Sequence, residues 1–218
     1  MRIMSSIVGF LAGFFLIAAS AVAQQNSGFL GDNYSKLQDA QSPSGARVKR
    51  WLAPVLAPGK YDAVVIDNTV LYPEPKGAPQ VSVTTLKEIA AYLDEALRRE
   101  LTGVTKLATE PGPKTLRIKP AITGAAAKNQ GFKPYDVLPI AFVFSTVKKA
   151  AGGATKEAFL AVEYEVWDVE TNQLVGVGVR QGTGQALKNP TDSVTLANVK
   201  PVIDAWAKDV RMFFQSKP

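Results

Sequence analysis

The run Ala158 to Trp167, followed after Asp168-Val-Glu-Thr-Asn172 by a second β-rich run from Gln173 to Gly182, constrains this chain more than any other feature. Two alternating runs joined by a short polar turn form an antiparallel hairpin, because the side-chain period of a strand is two and the turn fixes the register. Leu160, Val162, Tyr164 and Val166 fall on one face, and Glu163 and Glu165 on the other. The glutamates are therefore expected in solvent, paired across the strands with Arg117 or Lys119 for about 0.2 to 1 kcal/mol each. In the second run, Gly176, Gly178, Gly182 and Gly184 alternate with Val175, Val177 and Val179 in part, leaving one face bare enough for another element to lie closely over it.

Further strands are legible around this hairpin. Tyr61 to Tyr72 is dense in β-branched and aromatic residues, and its centre, Ala63 to Ile66, is apolar on both faces, as in a strand covered on both sides. Thr115 to Ile122 alternates Leu116, Ile118 and Ile122 with Arg117 and Lys119, and Pro120 places it near an edge. Val104 to Thr109 is a short candidate strand. Two segments carry helical periodicity instead. Leu86, Ile89, Ala90, Leu93, Leu97 and Leu101 make one stripe, with Thr85 and Glu88 as a capping box and Gly103 as the stop. Val202, Trp206, Val210 and Phe213, flanked by Ile203 and Phe214, make another between Thr195 and Gln215. Residues 124–157 read as a loop with a short amphipathic element. The expected fold is α+β, a mostly antiparallel sheet of four or five strands with two helices packed on one face.

The chain is expected to divide into a signal peptide at 1–23, an extended N-terminal arm at 24–60 and a single α+β domain at 61–218. Arg2, the apolar run Ile7 to Ala19 and the small residues of Ala21-Val22-Ala23 predict cleavage between Ala23 and Gln24, hence export to the periplasm. Retention of the segment as a membrane anchor is the alternative. The arm is rich in Gln, Ser, Pro and Gly, but Phe29, Leu30 and Tyr34, and then Trp51, interrupt it with apolar surface. First residues are normally polar and frayed unless tied down. These four are therefore the candidate interaction residues, docked on the protein's own sheet and helices or on a partner.

A net charge of +6 is spread in ones and twos, with no basic run interleaved with aromatics, so no nucleic-acid partner is expected. Neither cysteine nor histidine occurs anywhere in the 218 residues. That removes the usual zinc sites, Ser-His-Asp triads, Cys-His pairs and disulfide staples at once.

Weaker chemical candidates have blander readings. Ser145-Thr-Val-Lys148 has the Ser-x-x-Lys spacing but lacks the Ser-Asp-Asn and Lys-Thr-Gly companions of penicillin-recognising enzymes. Glu163 and Glu165 could be paired acid and base, and Asp67-Asn68 could edge a pocket, but a surface pair and a solvated turn account for them. The glycine-rich run lacks the spacing of a dinucleotide loop. No catalytic, cofactor-binding or metal-binding residue is assigned, and no cofactor is expected.

Several segments together resemble the DUF3313 family of exported bacterial proteins, many of them lipid-anchored. They are Ser27-Gly-Phe-Leu-Gly-Asp-Asn-Tyr-Ser-Lys-Leu37, Tyr61 with Val64-Val-Ile-Asp67, Tyr72-Pro73, and Leu93-Asp-Glu-Ala-Leu-Arg-Arg-Glu-Leu101. Leu116-Arg117, Ala121-Ile-Thr123, Val137-Leu-Pro139 and Asp204-Ala-Trp206 continue the likeness. The resemblance implies an envelope protein and supplies no activity. Members commonly carry a lipidated cysteine just before the Ser-Gly-Phe-Leu segment; with none here, a protein without a lipid anchor is expected. The functional expectation is a non-enzymatic periplasmic protein that works by binding another envelope protein. The alternative is a small-ligand carrier with a pocket between sheet and helices, lined by Tyr61, Trp167 or Trp206.

Overall fold

The computed structural model describes residues 26–75, 80–131 and 155–216. The expected cleavage site Ala23/Gln24, the Ser145/Lys148 pair and Val137-Leu-Pro139 lie outside them. Eight strands form one mixed sheet: β1 (Gln38–Gln41), β2 (Arg47–Leu52), β3 (Ala63–Ile66), β4 (Val70–Leu71), β5 (Lys106–Leu107), β6 (Thr115–Asn129), β7 (Lys156–Asp168) and β8 (Gln173–Ala186). The order is β1-β2-β8-β7-β6-β3-β5, with β4 also on β6. Two α-helices, α1 (Val83–Leu101) and α2 (Leu196–Gln215), complete the α+β fold together with short 3₁₀ turns at Gly31–Lys36 and Pro58–Lys60.

The sheet is larger and less uniform than the four or five mostly antiparallel strands expected. β3 runs parallel to both β5 and β6, and β4 runs parallel to β6. β3, β4 and β5 are short, and the link from β3 and β4 to β5 passes through α1, which is how a parallel pairing is normally reached. Two of the unforeseen strands come from the stretch expected to be an extended arm. Ser42 to Ala46 turns β1 back onto β2, with Ser42 N–H donating to the Ala46 carbonyl at 2.8 Å, and β2 pairs with β8. The domain therefore begins well before residue 61. Strands this short carry little periodicity to read.

The central hairpin falls where its alternation places it, but its strands are longer, and β6 joins β7 through an antiparallel register that runs from Leu116↔Asp168 to Asn129↔Lys156. The loop expected at 124–157 is thus strand at both ends. Gly-Ala-Ala-Ala, residues 124–127, hid the strand because small residues lack β-branched bulk; in the fold they are buried. Pro120 sits in mid-sheet, not at an edge. Ile118 and Ile122 direct their carbonyls to Asp67 and Tyr72 on the β3/β4 side, so Pro120, two residues from each, turns its nitrogen to the same side. β3 ends at Ile66, opposite Ile118, and β4 begins at Val70, opposite Ala121, so no ladder bond is lost there.

Both helices cover one face. The α1 stripe is buried as its periodicity requires, with Leu86, Ile89 and Leu101 at 0% exposure. Its cap is Ser82, three residues before the expected Thr85, and the Ser82 hydroxyl accepts from Thr85 N–H at 3.0 Å. Asn198 Oδ1 accepts from the Thr195 amide at 2.9 Å at the start of α2. The glycines of β8 let α2 approach: a Cβ at Gly184 would overlap the Asn198 carbonyl oxygen, and one at Gly182 would stand 2.6 Å from Val202 Cγ1.

Candidate ligand cavity and the strapped opening segment

The two faces of the sheet are covered differently. On the face away from the helices, Phe159, Ala161, Val177 and Val179 form a small apolar layer, and Leu30, 1% exposed, closes it with Phe29, Tyr34, Leu37 and Trp51 packed around. Alternation in β2 explains the second apolar island of the expected arm: Trp51 faces this layer, while Val48, Arg50 and Leu52 face the helices. Lys36 Nζ lies 4.7 Å from the Trp51 ring centroid, and Phe29 meets Tyr72 edge-on at 5.6 Å. All four candidate interaction residues therefore contact this chain's own sheet or its neighbours.

Tyr34 anchors the opening segment. Its hydroxyl donates to Glu163 Oε2 at 2.5 Å and lies 2.8 Å from Ser27 Oγ. Glu163, expected in solvent beside Glu165, is instead 0% exposed. The alternation was right about its face; the opening segment covers that face. Burial raises the Glu163 pKa, against the lowering effect of the Tyr34 and Ser27 hydroxyls, and the same burial with Glu163 nearby raises that of Tyr34. Glu163 Oε1 and Thr123 Oγ1 are buried without a hydrogen bond of good geometry, although the hydroxyl is near enough to favour the carboxylate's charge. The expected cross-strand pairings take other forms. Arg117 Nε donates to Asp67 at 2.9 Å; Lys119 lies 5.0 Å from the Trp167 ring centroid; and Trp167 Nε1 donates to Glu165 at 2.9 Å.

The helix-covered face holds an open-mouthed cavity of about 130 Å³ between the sheet, both helices and the β1–β2 turn. Leu116, Ile118, Val162 and Val166 supply the sheet wall. Leu93 and Leu97 of α1 and Trp206, Val210 and Phe213 of α2 supply the other. Tyr164 joins the lining by lying over Gly178, where a Cβ would overlap its ring. Of the aromatics expected to line a pocket, only Trp206 does. Tyr61 donates instead to Asp168 Oδ2 at 2.9 Å, and burial and that carboxylate push its pKa up to about 12.

Three charged side chains line the cavity: Arg50, Arg180 and Asp209. Arg180 Nη2 donates to Asp209 Oδ2 at 2.6 Å, with the two side chains 11% and 3% exposed, and Ser44 N–H donates to Asp209 Oδ1 at 3.0 Å. Burial raises the Asp209 pKa, but Ser44, Arg180 and Ser42 outweigh it and hold the carboxyl below its ordinary value. Arg180 stands 5.6 Å from the Trp206 ring centroid. Sequence reading missed this group, although two signals point to it. Asp209 is three residues from Trp206 on the buried side of α2, and Arg180 shares strand parity with Gly178 and Gly182, on the face that α2 covers. Among the described residues no cluster of acidic side chains could hold a metal ion.

The match to known proteins agrees with the sequence resemblance. The model of a protein family of unknown function, DUF3313, matches residues 25–210. This chain belongs to the DUF3313 family. An uncharacterised lipoprotein, YdcL, from Escherichia coli K12 is 36% identical over 201 residues, covering 91% of this chain and 90% of its own. Among solved structures, a PelC dodecamer from Paraburkholderia phytofirmans aligns at 13% identity over 75% of this chain and 98% of its own, with a TM-score of 0.41. Protein XCC0632 from Xanthomonas campestris aligns at 7% identity over 72% and 90%, with a TM-score of 0.39.

The relative corrects the expectation that this DUF3313 protein works without a lipid anchor. YdcL is named a lipoprotein and matches along nine-tenths of both chains, which conflicts with that expectation. The expectation rested on the missing cysteine and on Ala21-Val22-Ala23 standing where a lipidation motif would be, and the missing cysteine fixes only that no lipidated cysteine lies within these 218 residues. Among the described residues no helix is long and apolar enough to cross a membrane.

Proposed function

We propose that this DUF3313 protein is a non-enzymatic envelope protein that acts by binding, and that its cavity between sheet and helices receives a small apolar ligand. The observation that carries the reading is the cavity itself. A filled core on that side of the sheet would have ended the carrier reading, whereas about 130 Å³ lined by aliphatic and aromatic side chains stands open there. An apolar cavity of roughly 150 Å³ stays dry and binds benzene, so this space suits one ring or a few carbons of a chain. Native mass spectrometry of the protein purified gently from its own envelope tests the reading. A discrete adduct, removed by organic extraction and absent from a Val162→Phe variant, supports it. The same adduct on both proteins argues that the ligand binds elsewhere.

Binding to another envelope protein is the second reading. It gains support from Val70 and Tyr72, 49% and 38% exposed at the outer end of the sheet, next to Phe29. A photo-crosslinking residue at position 72 that traps one reproducible protein in living cells would support it, and labelling of solvent alone would remove it.

A further inference from the structure

Building on the reading of the cavity as a ligand site, we infer that its ligand is an anionic amphiphile: a hydrocarbon tail bearing a carboxylate or phosphate head. The walls are hydrocarbon, which selects the tail. The charged side chains among the lining select the head. Arg50, Arg180 and Asp209 all line this one apolar space, so two positive charges stand there with a single negative one. Asp209 is already engaged by Arg180 and Ser44, leaving Arg50, half-buried on β2, with no ion pair among the described residues.

Arg180 is itself incompletely satisfied, because its Nε is buried and makes no hydrogen bond. A buried donor without an acceptor is costly, and a charged one more so. A planar guanidinium presents a fork of donors that matches the paired oxygens of carboxylate or phosphate. One anionic head would supply both the missing acceptor and the missing charge. A cationic head would add a third positive charge to the same low-dielectric space. A neutral alcohol would leave the surplus charge as it is.

The experiment is a set of calorimetric titrations of the purified full chain with octanoate, octyl phosphate, 1-octanol and octylammonium, each below its aggregation concentration. Octanoate or octyl phosphate binds about tenfold or more tighter than 1-octanol, with octylammonium weakest, and the tighter of the two anions identifies the head group. Arg50→Gln lowers the anion-to-alcohol affinity ratio by about tenfold. Arg50 is the better target because Arg180→Gln would strip buried Asp209 of its partner and threaten folding. Equal affinity for octanoate and 1-octanol, a preference for octylammonium, or a ratio that survives Arg50→Gln overturns the anionic head while leaving the cavity reading in place. If none of the four compounds binds, the cavity reading itself fails, and this inference with it.

Discussion

The hydroxyl of Tyr34 donates to Glu163 Oε2 across 129 residues of sequence, joining the opening segment to the middle of the central hairpin. The bond fastens a segment that would otherwise fray, and it supplies a buried carboxylate with a donor. Tyr34→Phe leaves that oxygen without it and is expected to cost roughly 1 to 3 kcal/mol in urea denaturation. Glu163→Gln, which retains an acceptor and removes the buried charge, is expected to cost less. If Tyr34→Phe matches the wild type in both midpoint and slope, the bond does not hold the segment.

Two of the buried carboxylates, Glu163 and Asp209, make opposite contributions to acid stability. Glu163 has a raised pKa in the folded protein, so its contribution is fully present below the ordinary carboxylate value of 4.5 and is lost as pH rises through the raised value. Asp209 has a lowered pKa, so its contribution is present above 3.8 and is lost as pH falls through the folded value. Denaturation midpoints measured from pH 3 to 7 should therefore show Glu163→Gln gaining on the wild type toward neutral pH. Asp209→Asn should lose most near neutral pH and converge with the wild type in acid. Parallel pH profiles for all three proteins would contradict these assignments.

Gly184 provides a test of how closely α2 sits on β8. A Cβ there meets a backbone carbonyl of the first turn of α2, at Asn198, which cannot swing aside as a side-chain tip can. Gly184→Ala is expected to destabilise by roughly 1 to 3 kcal/mol, the usual cost of overpacking, and to lower the thermal midpoint. An unchanged midpoint would mean that helix and strand are less tightly apposed.

How much of this was legible in the sequence follows from where burial and periodicity coincide. The α1 stripe, the β7–β8 hairpin and the bare glycine face that some other element covers could be read because each belongs to a long element with one apolar or one bare face. β1 and β2 could not, whereas β5 falls within the expected strand Val104 to Thr109 and β4 within the β-rich run Tyr61 to Tyr72. β1 and β2 are four and six residues long, and their register comes from partners distant in sequence, such as Trp51 opposite Val177. Glu163 shows the limit differently: its face was readable from alternation, but its burial depends on Leu30 and Tyr34 folding back over it. The cavity charges were half legible, through the parity of Arg180 and the helical position of Asp209. Arg50 emerged only once β2 was seen to pair with β8.

The central claim is that the space between sheet and helices receives an apolar ligand, and Trp206 in its wall reports on it directly. Titrating the protein with 1-octanol while following tryptophan fluorescence should give a saturable change with a stoichiometry of about one, as for a single built pocket. The change should disappear when Val162→Phe fills the cavity of a variant that still unfolds cooperatively. A linear, non-saturating response, or a saturable one that persists in the filled variant, would contradict the account.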